Sequence, residues 1–445
     1  MYIDSSIVEL IKIITVIFGI GFLVESAFKI VRKGGRIYDY ACIIFFIFNI
    51  VPVACDLVYG IPYFQFLYGL NNAGADLNAN FLYSLFSLYY MIVIRYLFNR
   101  HKPRYLSQFT AITANNSKQF YHKYRYLIYT IIFLPLILLI GAPEKEKYLI
   151  YGYLGMRDLK DLGYFSLINY ACNLSVVAVF VVLLLRNFNL WGLLGFMPVL
   201  LLDSWINGKR NIVFLIVFFI IYLVFTNRRF SLLKKSIFTF VFVGFSVWFT
   251  SFYTSEIKKD VTGNTDKYTQ YRIDFSRDHT LKLAIYSELH PERAPILDYR
   301  GETMLFYLTI FVPRNLWPDK PLTYAQYITA AGLSQKAGYI GWGLTSSIFD
   351  ELVANFGLWI LLLCPWIIFK MIRFGESAQN KFVSLFTIFI VGVFMTVEIT
   401  AYYILVIGWI LLVRKFAKEN RLFMKKLKKY KKWQEEIYLT GPSQS

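Results

Sequence analysis

Tyr164-Phe-Ser-Leu-Ile-Asn-Tyr-Ala-Cys-Asn-Leu-Ser-Val-Val-Ala-Val-Phe-Val-Val-Leu-Leu-Leu185 runs for 22 residues without a charged side chain. A helix needs roughly 20 apolar residues to cross the hydrocarbon of a bilayer. There every backbone N–H and C=O must be paired inside its own segment, so such a run reads as a transmembrane helix. The rest of the chain belongs to the same class. Hydrophobic residues make up 57% and aromatic residues 19% of its 445 positions, a composition foreign to soluble proteins.

Outward from this run, comparable stretches lie at 7–30, 40–58, 77–98, 126–141, 188–203, 212–226, 236–253, 344–369, 382–397 and 400–413. Together they predict an all-α, polytopic integral membrane protein of about eleven transmembrane helices. The first stretch lacks a basic leader and a small-residue cleavage site, so it reads as a retained helix. The expected organisation is an N-terminal bundle over 1–253, a large external segment over 254–343, C-terminal helices over 344–413 and a polybasic tail over 414–445. Within the external segment, 304–313 is apolar but too short to span and ends at Pro313, which predicts a re-entrant or interfacial piece near 304–316. Leu281, Ile285 and Leu289, spaced by four, predict an amphipathic helix resting on the membrane.

The net charge of +19 is unevenly placed. Lysine and arginine crowd into 29–36, 100–125, 228–235, 370–381 and 414–432, the alternate loops that the positive-inside rule assigns to the cytoplasm. By contrast, 59–76 has no Lys or Arg, 143–163 balances four bases with four acids, and 254–343 sets eleven bases against ten acids. These loops read as external, which leaves the C-terminus cytoplasmic. Lys425, Lys426, Lys428, Lys429, Lys431 and Lys432 suit anionic lipid headgroups, and no nucleic-acid motif accompanies them. Cys42, Cys55, Cys172 and Cys364 lie in apolar runs without metal-ligand spacing and read as packing residues.

Two external features concentrate charge beside hydrocarbon, where it is costly. The first is Asp203-Ser-Trp-Ile-Asn-Gly-Lys-Arg210, in which Lys209 and Arg210 either snorkel to lipid phosphates or clamp an anionic headgroup. The second is Phe311-Val-Pro-Arg-Asn-Leu-Trp-Pro-Asp-Lys-Pro321, where three prolines stiffen a turn carrying Arg314, Asp319 and Lys320. Arg314 offers a planar fork for phosphate oxygens, and Trp317 a flat face for a sugar ring. Further on, Glu351 and Asn355 share one helix face; a carboxylate half withdrawn from water there is a candidate general base, or else a helix N-terminal acid. Tyr268-Thr-Gln-Tyr-Arg272-Ile-Asp274-Phe-Ser-Arg277-Asp278 reads equally as the wall of a groove for a polar chain or as a solvated loop. Glu25 and Glu398 lack an obvious partner, and Arg95 is placed to snorkel.

Pro313-Arg314-Asn-Leu-Trp317-Pro318-Asp-Lys320-Pro321, Gly343-Leu-Thr345-Ser-Ser, Glu351, Asn355-Phe-Gly357 and the upstream Gly208-Lys209-Arg210 resemble the Wzy-type polymerases of bacterial surface polysaccharides. The polytopic layout and long external loop extend the likeness over nearly the whole chain. The resemblance implies a metal-independent membrane glycosyltransferase of the type C architecture, with no cofactor. Its substrates would be undecaprenyl-pyrophosphate-linked oligosaccharides, joined at the outer face of the bacterial plasma membrane into O-antigen, capsule or exopolysaccharide. It also implies a chain-length regulator as partner. On this reading Arg210 and Arg314 neutralise the pyrophosphates with Lys209 and Lys320 in support, and Glu351 takes the acceptor proton. Trp317, Asp319, Arg272, Arg277 and Asn355 would line the substrate path. A ligase drawing on the same carrier, with His279 or His290 as its key group, and a lipid-linked oligosaccharide flippase are the rival readings.

The charge pattern predicts sidedness directly: alkaline phosphatase fused after Gly343 is expected to be active, and fused after Lys432 inactive. The opposite pattern of activities would invert the assigned topology.

Overall fold

The computed structural model describes residues 3–100, 109–150, 162–186, 190–208, 210–226, 230–252, 266–339, 343–377, 381–415, 418 and 421–422. Among them the chain is all helix, with no strand. Six helical stretches are long and apolar enough to cross a membrane: Ser5–Arg32, Ile37–Tyr59, Leu77–Arg100, Tyr121–Ile140, Leu167–Leu185 and Leu232–Phe252. Trp191–Asn207, Ile212–Phe225 and Val383–Thr396 are apolar but shorter. The six are fewer than the eleven spans expected from hydropathy. The difference falls on those three short helices and on the stretches near 344–369 and 400–413.

In chain order the N-terminal bundle comprises α1 (Ser5–Lys33), α2 (Ile37–Phe45), a π-helical turn (Phe46–Ile50), α3 (Val51–Tyr59), α4 (Tyr68–Ala75), α5 (Leu77–Arg100), α6 (Phe109–Ile140), α7 (Lys145–Leu149), α8 (Leu162–Leu185), α9 (Leu190–Asn207), α10 (Arg210–Thr226) and α11 (Leu232–Phe252). Helix α1 packs along α5, α6 along α8, and α10 against α11. Glu25 joins the first pair, with Arg95 on α5 at 2.8 Å and Lys29 at 2.7 Å. Arg95 therefore does more than snorkel, and Glu25 has two partners, Lys29 one turn on in α1 and Arg95 distant in sequence. Outward faces such as Phe240, Val247 and Trp248 of α11 are apolar and exposed, as a lipid-facing surface would be.

The second stretch is bent for an identifiable reason. Pro52 has no N–H, and its ring disfavours a regular turn, so the carbonyls before it are released where the helix widens into a π turn. Those carbonyls are taken up from elsewhere. Phe48 O accepts the Arg277 N–H at 3.0 Å and Asn49 O accepts the Tyr83 hydroxyl at 2.7 Å, while beyond the break the Pro52 carbonyl also accepts Arg272 Nη1 at 3.3 Å.

Two of those donors come from the segment read as external, which forms α12 (Lys267–Phe275), α13 (Asp278–Leu289), α14 (Glu302–Leu308) and α15 (Tyr324–Leu333). Helix α13 is not the surface-resting amphipathic helix expected. Asp278 through Ser287 are all buried, because α4, α5 and α16 (Ile348–Phe356) pack around it. Close approach is needed on this side of the bundle. A Cβ at Gly69 of α4 would collide with the Ala331 carbonyl of α15.

The remainder is α17 (Cys364–Ser377), α18 (Lys381–Thr396) and α19 (403–415). The predicted span at 344–369 is therefore not one helix. It starts at a capping box in which the Ser347 N–H donates to Asp350 Oδ1 at 2.7 Å, and it breaks at Gly357, whose φ of 84° a side chain disfavours. At the predicted span 400–413 a single 3-10 turn, Ile399–Tyr402, leads into α19, which covers all but the first three of those residues. Most of the polybasic tail lies outside the described residues.

Holding the segment 266–339 to the bundle is a buried charge cluster. Arg272 bonds Asp56 of α3 and, at 2.6 Å, Asp278 of α13. Lys282 bonds the same two carboxylates at 3.1 and 2.8 Å. All four side chains are essentially inaccessible. Removing one partner strands the others without water, a loss of about 3–5 kcal/mol. Arg272→Ala is thus expected to lower the unfolding temperature of the purified protein in detergent by several degrees, whereas Arg300→Ala, an exposed pair with Glu288 at 2.8 Å, should leave it within a degree or so. Equal melting of Arg272→Ala and wild type would remove the cluster from its structural role.

Candidate functional site

The proline-rich turn is braced by its own cations. Arg314 donates through Nη1 to Lys320 O at 2.7 Å and through Nη2 to Pro321 O at 3.0 Å. Lys320 Nζ donates to Ile310 O and Val312 O, each at 3.0 Å, and stands 5.1 Å above the Phe306 ring. Each cation thus satisfies carbonyls that a turn containing Pro313, Pro318 and Pro321 cannot pair within regular structure. Burial and the neighbouring Arg314 lower the Lys320 ammonium from its ordinary value. Arg314 itself remains exposed, as does Asp319, while Trp317 is half-buried. Around them Leu308, Phe311 and Leu316 stand 82%, 75% and 79% exposed. Arg314 and these three exposed apolar side chains thus belong to one stretch of chain, the end of α14 and the turn after it.

Helix α14 joins this turn to Glu351. Phe306 lies beneath Lys320, and the next residue, Tyr307, donates its hydroxyl to Glu351 Oε2 at 3.0 Å. The Thr303 hydroxyl, one turn earlier, donates to Glu351 Oε1 at 2.8 Å. Asn355 Nδ2 bonds Thr303 Oγ1 at 2.8 Å, which places Asn355 behind Thr303. Tyr403 fastens the other side, donating to Tyr307 O at 2.9 Å. Glu351 is 1% exposed, not half withdrawn from water as expected, and both oxygens are engaged. Here it ties α14 to α16 through the Thr303 and Tyr307 hydroxyls.

Glu351 lies on α16, outside every helix long enough to span. Burial, with Glu398 and Asp350 nearby, pushes its carboxyl up to about 8. Several polar atoms of this region lack a hydrogen-bond partner among the described residues: Tyr324 Oη, Ser346 Oγ, Asp350 Oδ2, Asn355 Oδ1 and Glu398 Oε1. All belong to buried side chains.

The other sequence candidates separate from this group. Arg272 is locked in the buried charge cluster, and Arg277 is turned inward onto the carbonyls of Thr396 at 2.5 Å and Ser276 at 2.6 Å. Both hold the fold and line no open groove. Lys209 lies outside the described residues, and Arg210 is described only as the first backbone position of α10. His279 is buried against Phe64 with both ring nitrogens unpartnered, and burial pushes it down to about 3, so it is neutral. Thr303, Tyr307 and Tyr403 escaped the sequence reading because they carry no charge and come from two separated stretches. Asp56 had a readable signal, a lone acid near the end of an apolar run.

No protein-family model, no curated protein and no solved structure matches the chain.

A raised carboxyl makes a pH prediction. Between about 4.5 and 8 folded Glu351 binds more protons than unfolded Glu351, so its contribution to stability is complete at low pH and is lost as pH rises through about 8. Glu351→Gln, which cannot ionise, is expected to fold normally and to gain thermal stability relative to wild type as pH is raised from 5 to 9. A melting difference that stays constant across that range would contradict the assignment.

Proposed function

We propose that the protein polymerises undecaprenyl-pyrophosphate-linked oligosaccharide repeat units into a bacterial surface polysaccharide. One observation carries the reading: Arg314 stands exposed among Leu308, Phe311 and Leu316 on a rigid turn. A polyprenyl pyrophosphate is anionic at its head and apolar along its tail, and a cation framed by hydrocarbon side chains complements both. The resemblance of this turn to the Wzy-type polymerases supports the same substrate.

In the reaction an acceptor sugar hydroxyl attacks the anomeric carbon of the donor. A new C–O bond forms as the bond to the carrier pyrophosphate breaks; the electron pair leaves on the phosphate oxygen, and the hydroxyl proton passes to the departing pyrophosphate or to water. Arg314 is assigned to the charge that develops there, with Arg210, Lys209 and Lys320 in support. Trp317 and Asp319 flank the same turn and are assigned to the first sugar. Glu351 acts as a positioning residue through Thr303 and Tyr307. The active face is external, the membrane is the bacterial plasma membrane, and a chain-length regulator is the expected partner.

A flippase is the second reading, favoured by the interrupted helix at Pro52 and by charges buried between helices. Those charges are mutually paired, Arg272 and Lys282 against Asp56 and Asp278, which favours a structural part for them.

In a strain lacking the gene, wild type is expected to restore a polysaccharide ladder, and Arg314→Ala to yield at least about 100-fold less polymer. Arg314→Lys should recover little of it, since an ammonium cannot brace the Lys320 and Pro321 carbonyls and also turn the remaining guanidinium N–H groups to a phosphate. Long polymer held on the lipid carrier in the deletion strain would instead establish a ligase, and repeats trapped on the cytoplasmic side a flippase.

A further inference from the structure

Three reversals of the chain meet inside the bundle. The first is the hairpin of α12 and α13. Near its start the Tyr268 hydroxyl donates to Gly60 O at 3.0 Å, just past α3, and at its finish His290 Nε2 lies 3.1 Å from Asp76 Oδ2, just before α5. Its tip is far from both: the Arg277 N–H donates to Phe48 O at 3.0 Å, in the middle of the stretch Ile37–Tyr59 and roughly 16 Å along it from Tyr59. The second reversal is the segment 344–357. Its Leu344 N–H donates to Thr329 Oγ1 of α15 at 2.6 Å, yet the Phe349 ring already lies 5.5 Å from Phe86 and 5.6 Å from Tyr90, well along α5. Helix α16 then returns beside α13 until Gly357 lies against the Glu288–Arg300 pair. The third comes from the opposite end, where Arg36 meets Glu376 at 2.6 Å. Thr396 O, at the end of α18, accepts Arg277 Nε at 2.5 Å, and the turn Ile399–Tyr402 sends the chain back as α19.

Acids gather where the reversals meet. Asp350 and Glu351 stand at the second and Glu398 at the third, and all three are buried. Hydroxyl groups surround them. Thr303 and Tyr307 bond Glu351, Ser347 bonds Asp350 with Thr280 beside it, and Thr323 and Thr400 lie beside Glu398. The Tyr324 hydroxyl, wholly buried and without a hydrogen-bond partner among the described residues, is near enough to all three carboxyls to feel their charge. Tyr170 faces Glu398 from α8 and donates to Thr400 O at 3.1 Å. No lysine, arginine or histidine pairs with the three acids among the described residues. Arg277, which reaches the same place, donates to the carbonyls of Thr396 and Ser276. Neighbouring carboxyls held from water without a cation are stable only with protons on them. A metal ion is the alternative, and among the described residues no group of three or more His, Cys, Asp and Glu side chains is placed to hold one.

We propose that Asp350, Glu351 and Glu398 form a proton-binding site inside the bundle, loaded from the water around the Arg314 turn through the Tyr307 hydroxyl. Tyr307 is only partly buried and bonds Glu351 directly, so it joins the site to solvent. A hydronium ion gives a proton to Tyr307 Oη while the phenol's own proton passes to Glu351 Oε2. Water is released, the phenol is restored, and the carboxylate becomes a neutral acid. Tyr324, facing all three carboxyls, passes the proton among them. Acids set into the interior of a membrane bundle with hydroxyl neighbours are the usual material of a proton relay. The proton site stands whatever the Arg314 turn binds.

Infrared spectroscopy of the full-length protein in nanodiscs reads the site directly, because a protonated carboxyl has a carbonyl band that a carboxylate lacks. In choline chloride at neutral pH, wild type is expected to show this band, to shift it when grown on carbon-13 glutamate, and to shift it again in heavy water. The isotope label needs no substitution, so the assignment to glutamate survives even where a variant fails to fold. Glu351→Gln and Glu398→Gln should each remove part of the band. Tyr307→Phe should keep the band and slow its deuterium exchange at least about tenfold. No band in wild type, or a band indifferent to labelled glutamate, overturns the site. Exchange as fast in Tyr307→Phe as in wild type overturns the loading path and with it the proposal. A band that vanishes when sodium chloride replaces choline chloride would give the site to a metal ion instead.

Discussion

Everything external to the bundle depends on the buried contact of Arg272 and Lys282 with Asp56 and Asp278. Two cations and two carboxylates neutralise one another where solvent cannot, and the arrangement is tolerable only because each charge meets two opposites. Pro52 completes it by releasing the Phe48 carbonyl to the Arg277 N–H, while its own carbonyl accepts Arg272 Nη1. A helix defect and a charge cluster thus act as one joint. Through it α13 is seated among α4, α5 and α16.

The class of fold was legible because it follows from transfer free energy alone. Long apolar runs such as 164–185 permit only a helix in hydrocarbon, and the structure agrees that the described chain is helical. Span number was less legible, since hydropathy averages over breaks. The run at 344–369 is apolar enough in sum, yet Gly357 turns the backbone at a φ of 84° and divides it. The Leu281, Ile285, Leu289 stripe misled for a related reason. Four-residue spacing reports one apolar face, and Leu283, Ala284 and Tyr286 on other faces are buried as well.

The candidate site was partly legible. Proline spacing marked a rigid turn, and the structure shows Arg314 and Lys320 bracing it through four backbone carbonyls. Charge content alone failed to separate working residues from structural ones. Arg272 and Arg277 sit in a stretch as charged as the turn, but their fork-shaped donors serve carboxylates and carbonyls in the interior. Whether a cation faces inward depends on a partner distant in sequence, such as Asp56, 216 positions away. Local patterning carries no record of that.

Glu351 shows how a buried acid and an exposed arginine form one unit without touching. Its two oxygens fix Thr303 and Tyr307 on one side of a seven-residue helix, and Phe306 on that helix supports Lys320. So short a helix has little stability of its own and takes its orientation from tertiary contacts. The orientation of α14, and with it the aim of Arg314, is therefore set by a neutral hydrogen-bonded carboxyl group. A charged carboxylate in the same place, beside Asp350 and Glu398, would strain that support. The acid under the turn serves best with its proton on, which is consistent with the site recruiting its negative charge from the substrate and not from the protein.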